Sequence, residues 1–90
     1  MKCVISVLGK DRSGIVAAIS KTLAESGANI DDISQTILAG KMFSMTMLVT
    51  LDGAVADFNA VQEELNAVGE EIGVQVTIQR EDVFQFMYKV

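Results

Sequence analysis

The chain has 90 residues, of which 50% are hydrophobic, with 7 Lys and Arg residues against 12 Asp and Glu residues. A chain this short can bury only one core, so we expect a single domain over residues 1–90. Because it contains no His and only one Cys, it can form neither a Ser-His-Asp triad, nor a Cys-His pair, nor a Cys/His zinc site, nor an internal disulfide. Its net charge of -5 argues against a basic face for nucleic acid. We therefore expect neither an enzyme nor a protein that binds DNA or RNA directly.

No segment has the pattern of an export signal or a membrane span. The apolar stretch at residues 3–8 is interrupted by Ser6 and ends at Gly9, which makes it too short for the core of a signal peptide. The longest apolar run elsewhere, residues 15–19, is far below the roughly 20 residues that cross a bilayer. We therefore expect a soluble cytoplasmic protein with no membrane partner.

The first two predicted elements are a strand and a helix. Residues 2–8 alternate between two sides and are rich in β-branched side chains, which favours a strand that Gly9 is expected to end. From residue 13 the apolar period becomes that of a helix, and Gly27 is well placed to stop it. The apolar stripe of this helix consists of Ile15, Ile19 and Leu23.

Two further strands follow as a hairpin. Residues 29–38 are predicted to form the second strand, residues 39–41 a turn, and residues 42–51 the third strand, which has the clearest period-two alternation in the chain. The side chains that we expect to face the core from this third strand are Phe43, Met45, Met47, Val49 and Leu51.

The last elements are a helix, a strand and a short terminal helix. Apolar residues recur at steps of three and four from Phe58 to Ile72, with glutamates opposite, which predicts an amphipathic helix that Gly73 ends. Residues 74–79 alternate as a fourth strand, and residues 81–88 are expected to form the terminal helix. The order β-α-β-β-α-β predicts an α+β, ferredoxin-like sandwich, in which a four-stranded antiparallel sheet carries two helices on one face.

The other face of this sheet is expected to be open and partly apolar, with Met42 and Leu48 on it. Two interpretations stay open. The terminal segment around Phe84, Phe86 and Tyr88 folds over this face, or a second copy of the chain covers it, because small domains hide such patches in symmetric dimers. We expect a homodimer.

The connection between the first strand and the first helix, residues 9–16, reads GKDRSGIV. Gly9 and Gly14 have the G-x-x-x-x-G spacing of a phosphate-binding loop. Ile15 and Val16 stand where that loop needs Lys and Ser or Thr, which excludes a phosphate site of this kind.

What remains is a tight turn at a helix N-terminus, where unpaired backbone N–H groups favour a carboxylate. Arg12 could add a bidentate contact to that carboxylate. The alternative is structural: Asp11 or Ser13 caps the helix, and Arg12 lies in solvent. The spacing of the residues leaves both interpretations open.

The run GKDRSGIVAAISKTLAESGANIDDIS, residues 9–34, resembles the opening of ACT domains, the small ligand-binding regulatory modules of amino-acid metabolism. In that family a strand ends at Gly, a D-R-[PS]-G-[IL]-[VL] loop starts the helix, and N-I opens the second strand. The matching positions here are Gly9, Asp11, Arg12, Ser13, Gly14, Ile15, Val16, Asn29 and Ile30. The ending EDVFQFMYKV resembles that of stand-alone, single-ACT proteins of bacteria and archaea, and the chain is also similar to one half of the tandem-ACT regulators of the glycine cleavage system.

The resemblance implies an allosteric sensor. ACT domains commonly bind amino acids or other small ligands where two domains meet, through the first loop and the start of the second strand. Carried onto this chain, the ligand-binding residues would be Gly9, Asp11, Arg12, Ser13, Gly14, Asn29, Ile30 and Asp31. Ser13 stands where many members have Pro, which leaves the loop less rigid. We expect a homodimer that binds an amino acid at the subunit interface and acts in trans on a separate metabolic or transcriptional protein.

The rival hypothesis is a protein-interaction module that binds no ligand and uses its open sheet face or its edges to pair with another chain. A metal site at Asp31 and Asp32 is not expected, because adjacent residues of a strand point to opposite faces. No cofactor is expected either.

Overall fold

The computed structural model describes residues 1–10, 12–52 and 57–83. The elements, in chain order, are β1 (Lys2–Lys10), α1 (Ile15–Glu25), β2 (Ala28–Leu38), β3 (Met42–Leu51), α2 (Phe58–Ile72) and β4 (Val74–Arg80). This order confirms the predicted β-α-β-β-α-β succession. Residues 81–83 are helical, and the rest of the predicted terminal helix lies outside the described residues.

The four strands form one sheet in the order β2-β3-β1-β4, and every neighbouring pair is antiparallel. The two helices pack on one face, where their buried side chains and those of the strands form a single core cluster. The predicted ferredoxin-like sandwich is therefore confirmed.

The core follows the predicted alternation of β3. All five of its expected inward side chains are buried, and they pack with the stripe of α1 and with Val61 and Leu65 of α2. Asp57 begins α2 by accepting a hydrogen bond from the Ala60 N–H to its carboxylate, 3.2 Å, and Gly73 ends it in the left-handed conformation at φ 77°. Gly73 is therefore the predicted stop, because a residue without Cβ adopts this conformation at little cost.

The sequence suggested that Gly9 ends the first strand, and this prediction is wrong. Gly9 lies within β1, pairs with Phe43 and Val74, and is followed by Lys10 in the same strand. A Cβ at Gly9 would lie 2.7 Å from Val74 Cγ1 and 3.1 Å from Val74 Cα. The glycine therefore permits a close approach of β4 to β1 and does not make a turn.

Among the strands of the described residues, β2 pairs only with β3, so it lies at the edge of the sheet. Ile33 and Ile37 lie opposite the buried Met47 and Phe43, so they face the helix layer, yet they are 40% and 52% exposed. The helix layer therefore leaves an apolar strip of β2 uncovered.

The open face carries exposed apolar side chains at Leu8, Met42 and Leu48, whereas Val4 on the same face is buried. The predicted cover by Phe84, Phe86 and Tyr88 falls outside the described residues, so both interpretations of this face stay predictions. Within the described part of the chain, no helix is long and apolar enough to cross a membrane.

Candidate functional site

The loop between β1 and α1 lies at one end of the sheet, where Lys10 pairs with Met42. Its last residue, Gly14, is the N-cap of α1 and adopts a left-handed conformation at φ 89°, with no side-chain hydrogen bond at the cap. An L-residue would be strained there. Asp11 lies outside the described residues, and Ser13 is exposed and does not cap the helix.

The first turn of α1 presents backbone donors at this end of the molecule. The first hydrogen bond across the cap runs from the Ala18 N–H to the Gly14 carbonyl, 2.9 Å, so the N–H groups of the three residues between them have no intrahelical acceptor. The helix dipole places partial positive charge at the same point. These N–H groups can donate hydrogen bonds to the carboxylate of a ligand.

Arg12 does not extend freely into solvent. Its Nη1 donates a hydrogen bond to the Ile72 carbonyl, 3.0 Å, so the guanidinium sits at the C-terminal end of α2, where the dipole is negative. The contact holds the loop against α2 and uses one of the five N–H donors of the guanidinium. The remaining donors can still form a bidentate contact with a carboxylate.

The second predicted set of residues forms a polar cluster at the start of β2. The Asp31 carboxylate accepts hydrogen bonds from Asn29 Nδ2, 2.7 Å, and from Thr50 Oγ1, 2.6 Å. Asp31 lies at an irregularity in the pairing of β2 with β3, between Ile30 and Asp32, so its side chain escapes the strict alternation that the sequence suggested. Thr50, which sequence reasoning did not assign to the site, is thus part of the cluster.

These hydrogen bonds hold the pKa of Asp31 below its ordinary value of 3.8, with that from Thr50 as the largest cause, followed by that from Asn29. The charge of Lys2, which pairs with Thr50 across the sheet, also lowers the pKa. A depressed pKa means that the folded state favours the carboxylate. The stability that this charge adds to the folded state is present above pH 3.8, the ordinary pKa of the group. It is lost as the pH falls through the lower pKa that Asp31 has in the folded state.

We expect Thr50→Val to raise the pKa of Asp31 toward 3.8, because valine keeps the shape of threonine and removes the hydroxyl donor. Titration of the Asp31 carboxyl carbon by NMR would measure this pKa. Thr46→Val is the matched control, since Thr46 is exposed on the same strand and has no hydrogen bond to Asp31 among those described. An unchanged pKa in Thr50→Val would show that the hydroxyl does not stabilise the carboxylate.

Ile30, also predicted for the site, packs its side chain against the core from β2. Among the described residues, no group of His, Cys, Asp or Glu side chains is arranged to hold a metal ion.

The loop and the Asp31 cluster lie at opposite ends of the sheet. Gly9 pairs with Phe43 at one end of β3, whereas Lys2, Thr50 and Asn29 are paired in a row at the other end. From residue 2 to residue 9, a strand rise of about 3.3 Å per residue separates the two ends by roughly 23 Å. One chain therefore does not bring the predicted site residues together.

The sequence and the fold have clear relatives. The ACT domain family profile matches residues 2–79. A UPF0237 protein of Methanocaldococcus jannaschii is 53% identical over 89 residues, which cover 99% of this chain and 98% of that protein. The solved structure of an ACT domain protein from Streptococcus pneumoniae has a TM-score of 0.81 at 45% identity, with 93% of each chain covered.

Two larger proteins contain the same fold in part of their length. The regulatory subunit of aspartate kinase from Thermus thermophilus has a TM-score of 0.68 at 29% identity, over 87% of this chain and 50% of that one. A protein designated a glycine cleavage system transcriptional repressor has a TM-score of 0.75 at 24% identity, over 87% of this chain and 44% of its own, which shows a shared fold. The match of the family profile, the conserved order of elements and the identity to full-length relatives agree, and this chain belongs to the ACT domain family.

Proposed function

We propose that this protein is an amino-acid-binding regulator, which binds its ligand between two copies of the chain and acts on a separate protein partner. The observation that carries the proposal is the position of the two polar sets at opposite ends of one sheet. A site that uses both sets needs two chains. The regulatory subunit of aspartate kinase, a structural neighbour, supports a regulatory role.

The loop end supplies groups suited to the α-carboxylate of an amino acid. The first turn of α1 offers backbone N–H groups without intrahelical acceptors. Arg12, in the loop just before this turn, has its guanidinium held at the C-terminal end of α2 by its hydrogen bond to Ile72. Both favour an anion. The charged carboxylate of Asp31, which Thr50 and Asn29 orient, is suited to the ammonium group.

The edge of β2 offers a way to join these sets. Antiparallel pairing of the β2 edges of two chains about a two-fold axis places the start of the partner's β2 at the end of the sheet where the first chain has its loop. The same contact would cover Ile33 and Ile37, the apolar strip that the helix layer leaves exposed. A homodimer of this kind gives two equivalent sites, each with a loop from one chain and a strand start from the other.

We expect at least one of the twenty common amino acids to raise the thermal unfolding midpoint of the protein. A concentration of about 100 times Kd stabilises by roughly 2.7 kcal/mol, which for a domain of this size is a shift on the order of 10 °C. Arg12→Ala should abolish the shift, and Lys41→Ala, which removes an equal charge from the exposed β2–β3 turn, should keep it. The measurement is differential scanning fluorimetry with each amino acid. No shift with any of them would overturn amino-acid binding.

The exposed apolar side chains of the open face favour a second candidate function, a module that binds another protein without a ligand. Leu8, Met42 and Leu48 contribute to this face, and such patches mark interaction surfaces. Under this alternative, Leu48→Asp abolishes partner binding and Arg12→Ala leaves it intact. If the protein is an amino-acid sensor, Arg12→Ala should abolish the binding of the amino acid.

A further inference from the structure

A groove of about 520 Å³ runs between the outer surfaces of α1 and α2. Its floor is apolar and consists of Ala18 from α1 with Ala67, Val68 and Ile72 from α2. Val68 and Ile72 pack against the core from below, so only part of each side chain is left to line the groove. The small side chains of the two alanines keep the groove open between the helices.

Two side-chain hydrogen bonds join the segments that flank α1 to α2, one at each end of this groove. At the C-terminal end of α1, the Ser26 hydroxyl donates a hydrogen bond to the Glu64 carboxylate. At the C-terminal end of α2, Arg12 donates to the Ile72 carbonyl. Both hydrogen bonds hold the segments on either side of α1 against α2.

The rim of the groove is acidic. The charged side chains that line it are Lys21 and Glu25 from α1 and Glu64 and Glu71 from α2. Three carboxylates thus face one ammonium group, and the guanidinium of Arg12 lies beyond the rim at the C-terminal end of α2. Further carboxylates on the exposed face of α2, Glu63 and Glu70, extend the negative field. An occupant must match an apolar floor and a negative rim.

We propose that this groove binds an amphipathic helix of a partner protein, with apolar side chains on the floor and Lys or Arg side chains against the rim. A helix fits because the groove lies between two helices and has no strand edge to which an extended peptide could add. α2 has 15 residues, a length of about 22 Å, so three to four turns of a partner helix can lie along it. The residues that line the groove are different from those of the loop, the Asp31 cluster and the open sheet face, and the groove meets the loop only where Ile72 accepts the hydrogen bond of Arg12. The proposal does not depend on the identity of the ligand.

The probe is a synthetic helical peptide of about 15 residues, with Leu at helical spacing on one face and Lys on the other, added to the ¹⁵N-labelled protein. We expect chemical-shift changes at the backbone amides of Ala18, Thr22 and Val68. In the double variant Glu25→Lys with Glu71→Lys, peptide affinity should fall on the order of tenfold. All substituted side chains are exposed, so the variants should fold.

The matched control is Glu63→Lys with Glu70→Lys, which changes the net charge by the same amount at exposed positions that do not line the groove. Peptide affinity should change less than about threefold in this control. Equal weakening in both double variants would show simple attraction to an acidic chain and overturn the proposal. The proposal would also fail if a peptide with Glu in place of Lys bound equally well, or if millimolar Lys peptide left these amides unchanged. Changes at the same amides with protein concentration alone would assign the groove to a second copy, which contradicts it.

Discussion

A heterodimer with Arg12→Ala on one chain and Asp31→Ala on the other is expected to bind amino acid at about one of its two sites. In the proposed homodimer, each site combines the loop of one chain with the start of β2 of its partner. One site of this heterodimer loses both groups, and the other keeps an intact Arg12 and an intact Asp31. The corresponding homodimers, each of one variant, should lose binding at both sites.

The control places both substitutions on the same chain and pairs it with an unchanged chain. Each site then lacks either Arg12 or Asp31, so this heterodimer should not bind. A site built within one chain predicts the opposite result, because the unchanged chain would keep its site complete. Heterodimers purified through two different affinity tags and titrated by calorimetry would measure the number of sites. Binding by the control and none by the first heterodimer would disprove the shared site.

The physical reason for this prediction is the roughly 23 Å between the two ends of the sheet, estimated from the strand rise. A free amino acid is far shorter than that distance, so it cannot contact both sets in one chain. Arg12 and Asp31 are also both exposed, so replacing either with alanine should disturb folding little. Loss of binding in these variants would therefore report on the site.

Gly9→Ala is expected to lower the free energy of unfolding by about 1–3 kcal/mol, the usual cost of overpacking. The added Cβ would lie 2.7 Å from Val74 Cγ1 and 3.1 Å from Val74 Cα. Valine is branched at Cβ and cannot turn aside easily, so β4 must move away from β1. The loss exceeds the gain of up to about 1 kcal/mol that alanine gives by restricting the unfolded chain.

Chemical denaturation of Gly9→Ala, of Val74→Ala and of the double variant would measure the coupling between the two positions. Val74→Ala removes Cγ1, the atom nearest to the new Cβ, and keeps the contacts at 3.0 Å with Cβ and 3.1 Å with Cα. The double variant should therefore be more stable than the sum of the single effects predicts, but less stable than Val74→Ala alone. Additive losses would show that the contact with Val74 Cγ1 does not cause the destabilisation. The same variants separate folding from binding: if the role of Gly9 is to let β4 approach, the folded fraction should still bind amino acid.

The sequence alone determined the elements of the fold and the sides that they bury. Alternation in β3 and the stripe of α1 predicted the core residues correctly, and Gly73 was a correct helix stop. These features depend on each side chain's position within its own element, and the periods of 2.0 and 3.6 residues record that position. The D-R-S-G loop likewise predicted the family, because its residues are adjacent in the chain.

Only the tertiary structure decided where the two sets of candidate site residues lie and which hydrogen bonds hold their side chains. The hydrogen bond of Arg12 to Ile72 joins residues 60 positions apart, and that of Thr50 to Asp31 joins residues 19 apart. The sequence predicted that Gly9 ends its strand, whereas Gly9 lies within the strand and lets Val74 approach closely. This approach depends on the pairing of the first and last strands, which the local sequence does not show. Each of these contacts depends on strand order and register, which no local periodicity encodes, and the same register places the loop and the Asp31 cluster at opposite ends of the sheet.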